Sequence, residues 1–91
     1  LVAVLDDQER TLGIFTDGDL RRAFEKRVDL LSARIDSVMH VRPRTIGPDR
    51  LAVEAVEMME RYRINALLVV DTDGRLLGAL NMHDLFTARV I

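Results

Sequence analysis

The chain has 91 residues, 48% of them hydrophobic and 31% charged, which suits one small soluble domain with a single modest core. A net charge of −2 offers no field for a nucleic-acid backbone, and the absence of cysteine excludes disulfides and thiolate metal sites. No apolar run approaches the roughly 20 residues that span a bilayer, so neither nucleic acid nor membrane is an expected partner and a reducing, cytoplasmic compartment fits.

From Leu1 the chain reads as a strand, a polar turn at Asp6-Asp7-Gln8-Glu9, a second strand, and a helix from about Asp17. It opens inside a strand-like run, which predicts that strand and helix residues of a longer parent precede it. Residues 28–39 read as a linker with a short helical turn at Ile35 to Met39. Pro43 restricts Arg42, and Arg44-Thr45-Ile46 suits a short extended stretch. Gly47-Pro48-Asp49 is expected to open a helix with Asp49 as N-cap. Its apolar stripe is Leu51, Ala52, Ala55, Val56 and Met59, with Glu54, Glu57, Glu60 and Arg61 on the wet side. Strand, turn, strand and helix then recur, the turn now being Asp71-Thr72-Asp73-Gly74, a strong hairpin signal.

The recurrence is an internal repeat. A shift of 65 residues carries Val4, Asp6, Arg10, Leu12, Gly13, Asp19, Leu20 and Ala23 onto Val69, Asp71, Arg75, Leu77, Gly78, Asp84, Leu85 and Ala88. Repeated units of this size pack against their twins, and strands this continuously apolar are expected to be covered on both faces. The second unit is strand, helix, strand, strand, helix, and the first holds only the last three of those elements. The resulting organisation is 1–27 for the partial first unit, 28–39 for the linker and 40–91 for the complete second unit.

Each second strand ends where a helix begins, at Gly13-Ile14-Phe15-Thr16-Asp17-Gly18-Asp19 and Gly78-Ala79-Leu80-Asn81-Met82-His83-Asp84. Two readings stand side by side. As a capping box, Thr16 or Asn81 caps the helix and the acid three residues on sits in its first turn. As a binding site, the same hydroxyl or amide and carboxylate meet the vicinal hydroxyls of a ribose while helix N–H groups face a phosphate. The preceding glycines would allow close backbone approach. Arg21 and Arg22 are either a solvated helix face or a phosphate clamp, asymmetric because Phe86 and Thr87 replace them in the second copy. Arg42 and Arg44 carry the same pair of readings. His40 and His83 suit surface or cap roles, and Met58, Met59 and Met82 suit packing. No Ser-His-Asp set, Walker loop or dinucleotide fingerprint occurs, so no catalytic residue is expected.

The pattern of apolar strand, Asp, turn, and Gly-apolar-apolar-Thr/Ser-x-x-Asp-Leu resembles the second half of a CBS motif. Gly13-Ile14-Phe15-Thr16-Asp17-Gly18-Asp19-Leu20-Arg21-Arg22 resembles more closely the paired CBS region at the C-terminus of arabinose 5-phosphate isomerases, which supply the lipopolysaccharide sugar Kdo. The resemblance implies a mixed α/β (α+β) fold of tandem βαββα units, the first truncated at its N-terminus. The units would pack pseudo-symmetrically through their sheets with ligand clefts between them. It implies ribose contacts from Thr16, Asp19 and Asp84, with Asn81 departing from the pattern because an amide replaces the hydroxyl. It points to Arg44 and Thr45 on the strand entering the second unit, and to base contacts around Ile64 and Ala66. The expected ligand is a regulatory nucleotide, either an adenine nucleotide or a cytidine nucleotide such as a CMP-linked sugar, with no other cofactor and no metal. The expected partners are a second copy, giving a homodimer, and an upstream sugar-isomerase domain. The alternative is a structural dimerisation module that binds nothing.

Overall fold

Two aspartates fold their turns in the same way. In the computed structural model, which describes residues 1–87, Asp6 Oδ1 accepts hydrogen bonds from the backbone N–H groups of Gln8 at 2.8 Å and Arg10 at 2.9 Å. Asp71 Oδ1 accepts the matching bonds from Asp73 at 2.9 Å and Arg75 at 3.0 Å. A carboxylate that bonds its own backbone two and four residues on stabilises the reversal without help from the rest of the fold. At the fourth turn position the chain must adopt positive φ, 66° at Glu9 and 82° at Gly74. Each turn joins two antiparallel strands, and both hairpins carry a register shift at the same place, Val4/Leu5 and Val69/Val70. The internal repeat is therefore a repeat of hydrogen bonds as well as of letters.

The chain divides into two units, Leu1–Pro43 and Arg44–Ile91. In the first, β1 (Val2–Leu5) and β2 (Thr11–Phe15) lead into α1 (Asp17–Glu25), then α2 (Ile35–Val38) and β3 (His40–Val41). The sheet order is β1-β2-β3, all antiparallel. His40 and Val41, read from sequence as opening the second unit, pair with β2 in this first sheet. The second unit contains β4 (Thr45–Ile46), α3 (Ala52–Tyr62), β5 (Ala66–Val70), β6 (Leu76–Asn81) and α4 (Met82–Thr87). Its sheet order is β4-β5-β6, with β4 parallel and β6 antiparallel to β5. No helix among the described residues is long and apolar enough to cross a membrane.

The second unit's core joins Ala55, Val56 and Met59 of α3 to Leu67 of β5, ringed by Ile46, Met58, Ile64, Leu80 and Met82. The spacing of the three α3 residues places them on one helical face, as expected from the sequence. The helix starts later than expected. Gly47 to Arg50 form a turn closed by the Arg50 N–H on the Gly47 carbonyl at 3.4 Å, with Pro48 fixing its second position. The N-cap is Leu51, without a side-chain cap, so Asp49 does not cap α3. Leu51, 65% exposed, and Ala52 therefore fall outside the buried stripe.

Burial differs between the repeats. Leu67 is 0% exposed beneath α3, whereas its counterpart Val2 is 55% exposed. The two glycines differ as well. A Cβ on Gly13 would stand 2.6 Å from Met39 Sδ and 2.8 Å from the His40 carbonyl oxygen, but one on Gly78 would meet nothing within 4 Å. Gly13 is crowded by the backbone entering β3, whereas Gly78 faces open space on β6, at the edge of its sheet.

Candidate functional site

The site is built at the strand-to-helix junctions. At the first, Thr16 is the N-cap of α1: the Asp19 N–H donates to Thr16 Oγ1 at 3.2 Å. Asp19 Oδ2 in return accepts from the Thr16 backbone N–H at 2.8 Å and from Thr16 Oγ1 at 3.0 Å. Asp19 Oδ1 accepts from Arg22 Nη2 at 2.5 Å, and the residue is only 6% exposed. Burial pushes the Asp19 carboxyl up, but the Arg22 hydrogen bond, the two Thr16 bonds and the Arg22 charge outweigh it and hold it below the usual carboxylate range. The arrangement is a complete capping box plus an ion pair. Arg22, read from sequence as a candidate phosphate ligand, is the partner of Asp19. Arg21 is exposed on the same helix.

At the second junction the box recurs with an amide. The Asp84 N–H donates to Asn81 Oδ1 at 2.8 Å, and Asp84 Oδ2 accepts from the Asn81 N–H at 3.1 Å. Both residues are exposed. The second carboxylate oxygen, Oδ1, accepts nothing from the described residues. The sheet sets the neighbours of this box. Antiparallel β6 ends beside the start of β5, with Ala66 opposite Asn81, and parallel β4 begins two residues further along β5, with Thr45 opposite Leu68. The Met82 N–H donates to the Asn65 carbonyl at 2.9 Å and ties the start of α4 to the entry of β5. Ala66, Asn81 and Asp84 therefore share one end of the second sheet, with Thr45 two residues in from it along β5.

Thr45 also lines a cavity of about 540 Å³ between β4 and α3, with Ile46, Arg50, Glu54, Met58, Arg61 and Tyr62. Arg50, just ahead of α3, donates to Glu54 in its first turn, and this bond raises the affinity of Arg50 for its proton. Arg44 lies over the Tyr62 ring, its guanidinium carbon 3.7 Å from the centroid. Sequence reasoning did not single out Tyr62. The sequence held no signal for this contact beyond an aromatic in the last turn of α3.

The chain was compared with known proteins. Residues 35–91 match the family model described as CBS domain. Arabinose 5-phosphate isomerase KdsD of Pseudomonas aeruginosa is 50% identical over all 91 residues, and that of Escherichia coli is 43% identical. The chain spans 28% and 27% of those two relatives, about a quarter of their length. Among solved structures, a CBS domain protein from Pyrobaculum aerophilum complexed with AMP superposes with a TM-score of 0.86 at 26% identity, over 98% of this chain and 68% of that one. A CBS-domain-containing protein from Agrobacterium tumefaciens gives a TM-score of 0.85 at 27% identity, over 97% and 66%. The mixed α/β fold is that of CBS domain pairs. The repeated Asx turns, the paired strand-to-helix boxes and these matches lead to one conclusion: the chain belongs to the CBS domain family.

Proposed function

We propose that this chain is a regulatory module that binds a nucleotide at the Asn81/Asp84 end of its second sheet and reports it to an attached sugar-phosphate isomerase domain. The observation that carries the reading is Asp84, an exposed carboxylate anchored by one oxygen and, among the described residues, open at the other. An open carboxylate edge accepts O–H bonds from a vicinal diol, the distinguishing group of a ribose. The AMP complex of the Pyrobaculum aerophilum CBS domain protein supports a nucleotide as the ligand class. The identities of 50% and 43% to arabinose 5-phosphate isomerases support such an enzyme as parent, which would place the module on the cytoplasmic path to Kdo. Within that reading Thr45 and Ala66 line the ligand, and the base is either adenine or cytosine, the latter as a CMP-linked sugar. The module regulates rather than catalyses, and it acts as a homodimer.

A structural dimerisation role is the second reading, favoured by one observation: the Thr16/Asp19 box is fully satisfied from within. A thermal-shift series with AMP, CMP and inorganic phosphate separates the two, because a ligand that binds only the folded state raises the melting temperature by mass action. A rise with a nucleotide and none with phosphate supports the regulatory reading. No response to either nucleotide at millimolar concentration sinks it.

A further inference from the structure

The two boxes are related by sequence, yet their carboxylates differ in two bonds: Asp19 also accepts from the Thr16 hydroxyl, whose place an amide takes at Asn81, and from Arg22. The 65-residue shift that carries Asp19 onto Asp84 carries Arg22 onto Thr87. Arg22 Nη2 fills Asp19 Oδ1 at 2.5 Å, whereas the corresponding Oδ1 of Asp84 accepts nothing from the described residues, Thr87 included. Asp19 is 6% exposed and Asp84 is exposed. Every oxygen of Asp19 is thus occupied from within the chain: Oδ2 by Thr16 N–H and Oγ1, Oδ1 by Arg22.

We infer that Arg22 is a specificity-determining residue that closes the first box to ligand, so that Asp84 alone offers a carboxylate to a ribose diol. The inference rests on the nucleotide-binding reading above and states which of the two repeated acids serves it. A diol approaching Asp19 must displace a charge-assisted guanidinium bond, which lowers affinity by at least roughly tenfold relative to an open carboxylate. The guanidinium is itself half in solvent, with 58% of its side chain exposed, so its removal uncovers Asp19 Oδ1 without collapsing a core. The repeat therefore keeps the same capping box twice and reserves one copy for binding.

Calorimetric titration with AMP of the unmodified chain, Arg22→Met and Arg22→Ala gives the test; Met keeps the side-chain stem over the helix. Bound AMP should rise from one per chain in the unmodified protein to two in Arg22→Met. Two AMP per chain in the unmodified protein overturns the inference, whether or not the variants fold. Equal stoichiometry and affinity in the unmodified protein and a folded variant, including no binding in either, also overturns it. No AMP in the unmodified chain together with one in Arg22→Met refutes the reading of Asp84 and upholds that of Arg22, so the two failures are distinct.

Discussion

The His40 carbonyl oxygen lies 2.8 Å from where a Cβ on Gly13 would stand, a distance that real side chains do not tolerate. Gly13 pairs with Val41 across the β2–β3 ladder, and Met39 Sδ closes the same space from the other side at 2.6 Å. Backbone is the obstruction, so the strand pair itself must give. Gly13→Ala should therefore lower stability by about 1–3 kcal/mol through overpacking. Gly78→Ala, on the open edge of β6, should be neutral or stabilising by up to about 1 kcal/mol, since glycine weakens a strand. Urea midpoints of both variants check the pair. Equal losses would show that the second unit's edge is as crowded as the first's.

The turns give a prediction of opposite sign. Glu9 holds φ at 66° where the second repeat has Gly74 at 82°. A side chain in the left-handed region costs roughly 1–2 kcal/mol, partly offset by the greater freedom glycine loses on folding. Glu9→Gly should raise stability by about 0.5–1 kcal/mol, and Gly74→Ala should lower it. Differential scanning calorimetry reads both, as a shift of a few degrees in Tm. A Glu9→Gly protein that melts lower would mean that Glu9 makes a contact its turn geometry does not require.

Much of this was legible in the letters, for physical reasons. Asp6 and Asp71 bond their own backbone, and Thr16, Asn81, Asp19 and Asp84 do the same at the helix starts. Such contacts span two to four residues and need no knowledge of the fold. The exchanges that sequence reading missed depend on tertiary position. The Gly47–Arg50 turn displaced the expected Asp49 cap, because a Pro-containing turn and a capped helix start both suit Gly-Pro-Asp. Arg22 was read as facing either solvent or a phosphate, and its bond to Asp19 was missed, although residues three apart on a helix are neighbours. Arg44 found Tyr62, eighteen residues downstream in sequence, only through the packing of α3 beside β4.

The Asp19–Arg22 pair carries a pH signature. Burial raises the Asp19 carboxyl, but the bonds from Arg22 and Thr16 hold it below the ordinary aspartate value of about 4. Between that folded value and about 4 the unfolded chain binds more protons than the folded one, so stability rises with pH across the window. The contribution is complete above the unfolded value and is lost as pH falls through the folded one. Asp6, lowered chiefly by the Arg10 N–H bond, adds a slope of the same sign. Arg22→Met should flatten the acid limb of a urea-midpoint profile below about pH 5 without removing it. A constant offset between the two proteins at every pH would show that Arg22 does not set the Asp19 proton affinity.

Asp84 should matter for ligand more than for folding. It is exposed, and its contact in the described chain is the reciprocal box with Asn81. Asparagine keeps an oxygen in the same place, so Asp84→Asn forfeits mainly the interaction of a negative charge with the start of α4. That loss is about 0.3–1 kcal/mol. A bound ribose makes a larger demand, because each diol O–H donates to an ionised oxygen in bonds of about 1.5–3 kcal/mol. An amide offers one acceptor and turns donors toward the second hydroxyl. Affinity for AMP or CMP, whichever raises Tm, should therefore fall at least tenfold while Tm moves by only a few degrees. Titration calorimetry and melting curves on the same preparations decide between the two roles. Full affinity with a lowered Tm would make Asp84 a helix cap and nothing more, and would return the second box to the same structural duty as the first.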